Sequence, residues 1–401
     1  MVMKKIGILV PSLSDGGAEM VAANLSVLYE ELGYKPYIIL YENRVTFKYA
    51  GKIIDLNIKR RKGLLGKVLK DIEIYRKLKK VKQTHKFDLV ISHLPKSDLI
   101  NVLTKGNEKI ITTIHNNIEV DYPMYMKVML KLIVKKSDLV VSVSKVGEEY
   151  LKAKFNQYKD KIKTIYNFHD IKKIQKKGKE NLDPDEKDIF KYDVIINIGR
   201  LGYQKGQWHL IKAFSHLLKK KNDVKLVIIG QGELEKKLKE MSKDLGIDNQ
   251  VCFLGFKDNP YKYLANANLY VSTSLHEGLP MTLIEAMSFK LPVISTDCVS
   301  GPREIIAPDK RLSQKLNYSE NYKYGLLVPD FGNKSSLQSH LMLSEEEKAL
   351  GDKLYEILMT DNLIDKYNKV SEVRSKDFDK ENISKLWNAE LNKIMMKENS
   401  I

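Results

Sequence analysis

Cys252 and Cys298 are the only cysteines in 401 residues. They supply no spaced disulfide framework, and such sparse use suits a reducing cytoplasm. No window approaches the roughly 18 to 20 uninterrupted apolar residues that a membrane-spanning helix needs. The apolar start Ile6-Gly7-Ile8-Leu9-Val10 runs into a turn over Pro11 to Gly17 and not into a small-residue cleavage site. It is expected as a first buried strand. The eight histidines have no ligand-like spacing, and Asp183-Pro184-Asp185 lies in a polar stretch away from any nucleotide-type strand. Metal is not implied. No repeat shorter than a domain is apparent.

Acid is also scarce relative to base: 68 Lys and Arg against 51 Asp and Glu leave a formal charge of +17, about +13 of it within residues 1–170. One stretch dominates, from Lys59-Arg60-Arg61-Lys62 through Lys67, Lys70, Arg76-Lys77, Lys79-Lys80, Lys82 and Lys86. Leu65, Leu69 and Ile72 recur at helical steps among these bases, which predicts an amphipathic helix with a basic flank. An anionic membrane surface, a phosphorylated lipid or a nucleic acid would each be attracted to it. A nucleic-acid role is not expected, because the stretch has no aromatic platform or DNA-reading motif and leaves the second half of the chain unexplained.

With 43% hydrophobic and 30% charged residues the chain is globular, and its length exceeds what one core usually organises. The first half alternates short apolar runs with helical patterns: Ile6–Val10, Pro36–Tyr41, Phe87–Ser92, Lys109–Ile114, Asp138–Val143 and Lys163–Tyr166 read as buried strands, with a helix from Gly16-Gly17-Ala18-Glu19 to about Leu32. Residues 173–190 break this composition and read as a linker. The pattern restarts with Asp193–Gly199, Lys225–Gly230, Gln250–Gly255, Leu269–Ser272 and Pro292–Ser295. Two doubly wound parallel sheets are expected: an α/β chain with Rossmann-like domains over 1–172 and 191–377 facing across a cleft, and a helix over 378–396 packing back on the first. In such sheets ligands bind beyond the carboxyl ends of the strands.

The turns at those ends carry the chemistry. Gly278 and Pro280 favour a helix starting near Met281, which leaves backbone N–H groups around Leu279 to Thr282 for phosphate or hydroxyl oxygens. Glu285 is expected in or near the first turn, ionised by the helix dipole and able to accept from the vicinal diol of a ribose. Glu277, just outside the helix, would accept from a second sugar ring. After an earlier strand, Arg200 offers a planar fork and Lys205 a point charge, together a clamp for a diphosphate. Gly230-Gln231-Gly232-Glu233 and Leu254-Gly255-Phe256 follow the strands between.

This ordered set resembles the family-4 retaining glycosyltransferases with the GT-B fold. The residues that carry the resemblance are Gly16-Gly17-Ala18-Glu19, Thr113-Ile114-His115, Asp138 through Ser144, Tyr166-Asn167-Phe168-His169-Asp170, Gly199-Arg200 with Lys205-Gly206, Glu277, Glu285 and Gly325-Leu326-Leu327-Val328. Gly278-Leu279-Pro280-Met281-Thr282 and Gly301-Pro302-Arg303-Glu304 are similar to bacterial enzymes that extend capsule, exopolysaccharide or lipid-linked oligosaccharide chains.

The resemblance implies that Arg200 and Lys205 neutralise the donor diphosphate, that Glu285 holds the ribose and that Glu277, with the backbone from Gly278 to Met281, holds the transferred sugar. Gly255 joins the donor site, Gly16 and Gly17 let a loop approach the diphosphate, and His115 contacts the sugar near its reacting carbon. It further implies a nucleotide-diphosphate sugar, most simply a UDP-sugar, as substrate, no metal or other cofactor, and transfer of a hexose or N-acetylhexosamine with retention to a lipid-linked or oligosaccharide acceptor. The enzyme would sit on the inner face of the cell membrane through its basic first domain. A nucleotide-sugar epimerase on the same fold is the alternative. Two departures stand out: many relatives carry Gly-Phe-Gly before the proline where this chain has Gly278-Leu279-Pro280, and Asn-Gly-Val-Asp is replaced by Asn167-Phe168-His169-Asp170.

Overall fold

The structure, a computed structural model, describes residues 3–14, 16–59, 61–115, 118, 122–298, 301–310, 316–332 and 342–396. Arg60, part of the basic stretch, lies outside the described residues. The chain divides into two compact units, Met1–Asn167 with Ile383–Ile401, and Phe168–Asn382.

The first unit comprises β1 (Lys5–Val10), α1 (Gly17–Glu31), β2 (Lys35–Leu40), β3 (Lys52–Asp55), α2 (Gly63–His85), β4 (Leu89–His93), α3 (Pro95–Leu103), β5 (Lys109–Ile114), α4 (Met124–Lys136), β6 (Leu139–Ser142), α5 (Lys145–Lys154) and β7 (Ile162–Thr164). Its seven strands are parallel in the order β3-β2-β1-β4-β5-β6-β7. Strands such as β4, buried along their whole length, need apolar or internally bonded side chains on both faces. Helices α2, α3 and α4 each lead from one strand to another farther along the same direction, so right-handed crossovers put them on one face; α1, which leads back to β2, lies on the other. Trp387 of the terminal helix meets Tyr29 of α1 edge to face, with ring centroids 5.9 Å apart.

The second unit runs through α6 (Ile171–Gly178), β8 (Asp193–Ile198), α7 (Gln207–Leu218), β9 (Val224–Ile229), α8 (Glu235–Asp244), β10 (Val251–Gly255), α9 (Tyr261–Leu264), β11 (Leu269–Ser272), α10 (Met281–Ser288), β12 (Val293–Thr296), α11 (Pro302–Ile306), β13 (Glu320–Tyr322), β14 (Gly325–Val328), α12 (Glu345–Leu358) and α13 (Asp361–Lys376). A last helix, α14 (Lys380–Met396), begins in this unit and continues into the first. The sheet order is β10-β9-β8-β11-β12-β14-β13, with only β13 antiparallel among the described strands. Strand order reverses between β1 and β4 and again between β8 and β11, and such switch points open a crevice at the carboxyl ends.

One expectation needs correction, and two features were not foreseen. Residues 173–190 are not a linker: α6 and a 3₁₀ segment, Pro184–Lys191, belong to the second unit. Ile171 and Ile174 are buried, and the acids that looked like solvated linker charges are paired, Asp183 with Lys262 at 2.9 Å and Glu186 with Lys257 at 2.7 Å. The short strands β3 and β13 carry too little apolar pattern to be recognised, since β3 has no fully buried residue. The basic helix exists as α2, but its first apolar stripe does not face the core. Ile74 and Leu78 do, whereas Leu64, Leu65, Val68, Leu69 and Ile72 are exposed.

Candidate active site

In the second unit the turns after β8 and β11 are stitched together by main chain and side chain. Leu275 N donates to Gln204 O at 2.8 Å, and Gln204 Nε2 donates to His276 O at 2.9 Å. Gly206 is required where the two turns touch: its φ is +59°, and a Cβ there would stand 2.4 Å from Thr273 O. This close approach delivers Lys205 to Glu277, with Nζ 2.5 Å from Oε1. Ser274 Oγ donates to the same carboxylate oxygen at 2.7 Å. Glu277 is buried while Lys205 keeps a quarter of its side chain exposed, so the cation presents one side to solvent.

Arg200 turns elsewhere, to Glu233 at 3.0 Å, and both side chains are largely exposed. The two cations expected to form one clamp are thus held by different carboxylates. Glu233 and Ser274 were not singled out in the sequence. The signal for Glu233 was present, because it closes the Gly230-Gln231-Gly232 turn on the neighbouring strand.

The loop Gly278-Leu279-Pro280 enters α10 at Met281, and no side chain caps that helix start. Gly301 supports the loop: its N–H donates to Gly278 O at 3.0 Å, and a Cβ on Gly301 would lie 2.5 Å from Pro280 Cδ. Thr282 is anchored by Tyr270, whose hydroxyl donates to Thr282 Oγ1 at 2.7 Å. An uncapped helix start with backbone donors beside an ammonium group suits an anionic oxygen. Gly255 ends β10 with φ +68° and accepts from Gly230 N at 2.8 Å, so it shapes the same carboxyl edge through its backbone.

Glu285 differs from expectation. It is the fifth residue of α10, beyond the first turn where the dipole acts most strongly, and it is buried. Burial pushes its pKa up to about 7, against the lowering effect of the Tyr261 hydroxyl, which donates to Oε1 at 3.3 Å. Desolvation outweighs the helix dipole here. His169 Nε2 lies 3.4 Å from the same oxygen. Neither Tyr261 nor His169 was predicted as a partner of Glu285, since 24 residues separate the first from it along the chain and a different element carries the second.

In the first unit, Gly16 precedes α1 and Gly17 opens it, and a Cβ on Gly17 would meet nothing within 4 Å. That leaves open space over the carboxyl end of β1. His115 follows β5, and its Nε2 lies 2.8 Å from Nδ1 of His93, the last residue of β4. Both rings are held neutral: burial pushes His115 down to about 4, and burial with the nearby His115 ring pushes His93 well below the ordinary imidazole range. Leu94, immediately after His93, has φ +79°, a conformation strained for a residue with a Cβ. His93 was missed in the sequence, although two histidines ending strands that lie side by side is a legible cue. Among the described residues no group of three or more His, Cys, Asp and Glu is placed to hold a metal ion.

Comparison with known proteins gives a consistent result. Residues 15–173 match the model of Glycosyltransferase Family 4, and residues 179–347 match that of Glycosyl transferases group 1. An uncharacterized glycosyltransferase of Methanocaldococcus jannaschii is 37% identical over 380 residues, 90% of this chain and 93% of that one. The Campylobacter jejuni N-acetylgalactosamine-N,N'-diacetylbacillosaminyl-diphospho-undecaprenol 4-alpha-N-acetylgalactosaminyltransferase is 28% identical over 96% of this chain and 98% of its own. Among solved structures, Anabaena HepE in complex with UDP-glucose superposes with a TM-score of 0.74 at 18% identity, covering 97% and 99% of the two chains. Sucrose-phosphate synthase of Thermosynechococcus elongatus superposes with a TM-score of 0.77 at 15% identity, covering 98% and 100%.

Proposed function

Because the chain belongs to the glycosyltransferases and has their GT-B fold of two Rossmann-like domains, we propose that it transfers a hexose or N-acetylhexosamine from a nucleotide-diphosphate sugar, a UDP-sugar in the simplest case, to a hydroxyl of a lipid-linked glycan. Transfer retains the anomeric configuration, needs no metal, and serves surface-polysaccharide synthesis. The observation that carries this reading is the Lys205, Glu277 and Ser274 cluster beside the uncapped start of α10, with Glu285 one turn further in. The nature of the acceptor is supported by the diphospho-undecaprenol substrate named for the Campylobacter relative.

The chemistry follows from where charge develops. Breaking the sugar–phosphate bond leaves an oxocarbenium-like ring and a diphosphate, so a fixed cation and backbone N–H groups at the leaving group lower the barrier most directly. Lys205 supplies the cation, with Arg200 reaching the outer phosphate on release from Glu233. Glu277 positions the sugar hydroxyls and Glu285 holds the ribose, and His115 is assigned to the sugar near its reacting carbon. A leaving-group oxygen helps deprotonate the acceptor. The test is a panel of UDP-, GDP- and ADP-sugars with a polyprenyl-diphosphate glycan, scored for product, for anomeric configuration by NMR and for tolerance of EDTA. Isomerised sugar in the absence of any acceptor would instead favour the epimerase.

The protein is further proposed to work at the inner face of the cell membrane. Support comes from α2, where Leu64 (83% exposed), Leu65 (74%), Val68, Leu69 and Ile72 form an outward apolar arc that Arg76, Lys79 and Lys80 continue as bases. In α4 of the same unit, Met124, Tyr125 and Val128 are also exposed beside Lys127 and Lys131. Apolar side chains that enter the acyl boundary, flanked by bases that meet anionic headgroups, define an interfacial helix. Among the described residues no helix is long and apolar enough to cross the bilayer.

A further inference from the structure

His169 is locked in place by main chain on both sides: its N–H donates to Phe378 O at 3.1 Å, and its carbonyl accepts from Lys380 N at 2.8 Å. The ring is buried and makes a backbone hydrogen bond to Met281, the first residue of α10; the bond favours the charged ring, as a carbonyl acceptor does. The other ring nitrogen, Nε2, is buried, has no hydrogen-bond partner among the described residues, and stands 3.4 Å from Glu285 Oε1. With Nδ1 donating to Met281, a neutral ring turns a lone pair toward a carboxyl oxygen. Two acceptors this close repel one another unless one of them carries a proton.

Burial decides where that proton rests in this structure. It pushes Glu285 up to about 7 and His169 down to about 4, which favours a neutral carboxyl beside a neutral imidazole. A ribose diol asks for the opposite arrangement, because hydroxyls donate best to a carboxylate. The surrounding groups offer no competing site for the proton. Tyr261 on α9 and Tyr270 on β11 have phenols pushed further up by burial, and Lys177 of α6 sits over the Tyr261 ring at 5.9 Å. Glu372 of α13 faces Lys290 at 3.4 Å, beyond the end of α10.

We propose that His169 and Glu285 form a proton-sharing pair in which binding of a ribose diol moves the carboxyl proton from Glu285 onto His169 Nε2. The Oε1–H bond breaks as the Nε2–H bond forms. The result is an imidazolium, still donating from Nδ1 to Met281, beside a carboxylate whose Oε1 is held by the imidazolium and the Tyr261 hydroxyl and whose Oε2 accepts from the diol. Below about pH 7, where Glu285 holds its proton, no proton leaves the site, so nucleotide affinity there is insulated from pH. His169 is therefore a positioning residue, acting on the ligand through Glu285, and the inference rests on the assignment of Glu285 to the ribose.

Calorimetry tests it, using whichever of UDP, GDP, ADP and CDP binds the wild-type protein, in two buffers of different ionisation enthalpy from pH 6 to 7. The wild type should exchange almost no protons and change affinity by less than about threefold. His169→Val should release close to one proton at pH 6 and bind about fivefold more weakly there than at pH 7, because the carboxyl proton must then go to solvent. A valine variant with the wild-type proton count and pH profile overturns the pair. If that variant does not fold, ¹⁵N NMR of the wild type decides: Nε2 must become protonated on saturation, and an unchanged ring overturns the proposal. The ribose assignment is judged separately. Nucleotide affinity unchanged in Glu285→Ala, or no binding of any of the four by the wild type, removes that assignment and the pair with it.

Discussion

Substitution of Lys205 by alanine should separate the energetics of the fold from those of the reaction. Glu277 is buried, and Oε1 takes Lys205 Nζ at 2.5 Å and Ser274 Oγ at 2.7 Å, so removal of the ammonium leaves a carboxylate with one neutral donor on that oxygen. Breaking a fully buried pair costs about 3–5 kcal/mol, and an exposed pair contributes under about 1 kcal/mol. Lys205 is a quarter exposed, which places the cost near 2 kcal/mol. For a unit of this size that corresponds to a fall of roughly 4–8 °C in Tm. Glu277→Ala added to Lys205→Ala removes the stranded charge, and most of the lost Tm should return. Activity should behave differently. Loss of a preorganised group at the leaving diphosphate lowers kcat by about 10²–10³, and the double variant should stay as inactive as the single one. Calorimetric Tm and initial rates with a UDP-sugar read both quantities. A double variant that regains turnover along with stability would refute the argument, since it would make Lys205 a structural partner of Glu277 and nothing more.

Three further outcomes are expected. Glu285→Ala should weaken nucleoside diphosphate binding by about 1.5–3 kcal/mol, roughly 10- to 150-fold, in a titration at pH 8 where the wild-type carboxyl is ionised. Stability should fall on acidification from pH 6 to 5 by on the order of 2 kcal/mol per pH unit. His93, His115, His169 and His209 have pKa values lowered in the fold, so the unfolded chain binds more protons below about 6.5 and stability is lost there, while Glu285 and Asp98, raised by burial, act in the opposite sense and halve the effect. Urea midpoints across that interval check the slope, and a flat profile would show that these rings are not held neutral. Finally, Leu65→Gln with Leu69→Gln, or neutralisation of Arg61, Arg76 and Lys80, should each lower binding to vesicles containing phosphatidylglycerol by tenfold or more, the second effect fading as salt rises. Vesicle binding indifferent to both would return α2 to an ordinary solvated helix.

Much of the fold was legible because both sheets are parallel and buried. Strands such as Lys5–Val10 and Leu269–Ser272 need near-continuous apolar runs, and such runs mark themselves in a sequence. The acids of residues 183–186 misled for a related reason: composition records that a residue is charged but not that a lysine about 70 to 80 positions away neutralises it. The same limit applied to α2. Its helical period was visible, yet which arc turns inward depends on the neighbours that Ile74 and Leu78 find, and the longer apolar stripe was left outside.

For the candidate site the sequence by itself determined the cast and the order: glycines where chain segments approach closely, cations after β8, acids around the start of α10, a histidine ending β5. These are local matters, set by backbone conformation and strand periodicity. Only the tertiary structure decided the partners and the charge states. It paired Lys205 with Glu277 and Arg200 with Glu233, placed His93 against His115, and closed Tyr261 and His169 around Glu285. The physical reason is that the electrostatics of a carboxyl or an imidazole depend on burial and on the few ångströms around it, which the fold assembles from residues far apart in the chain. The helix dipole would have kept Glu285 ionised, and desolvation, which has no signature in the sequence, outweighs it.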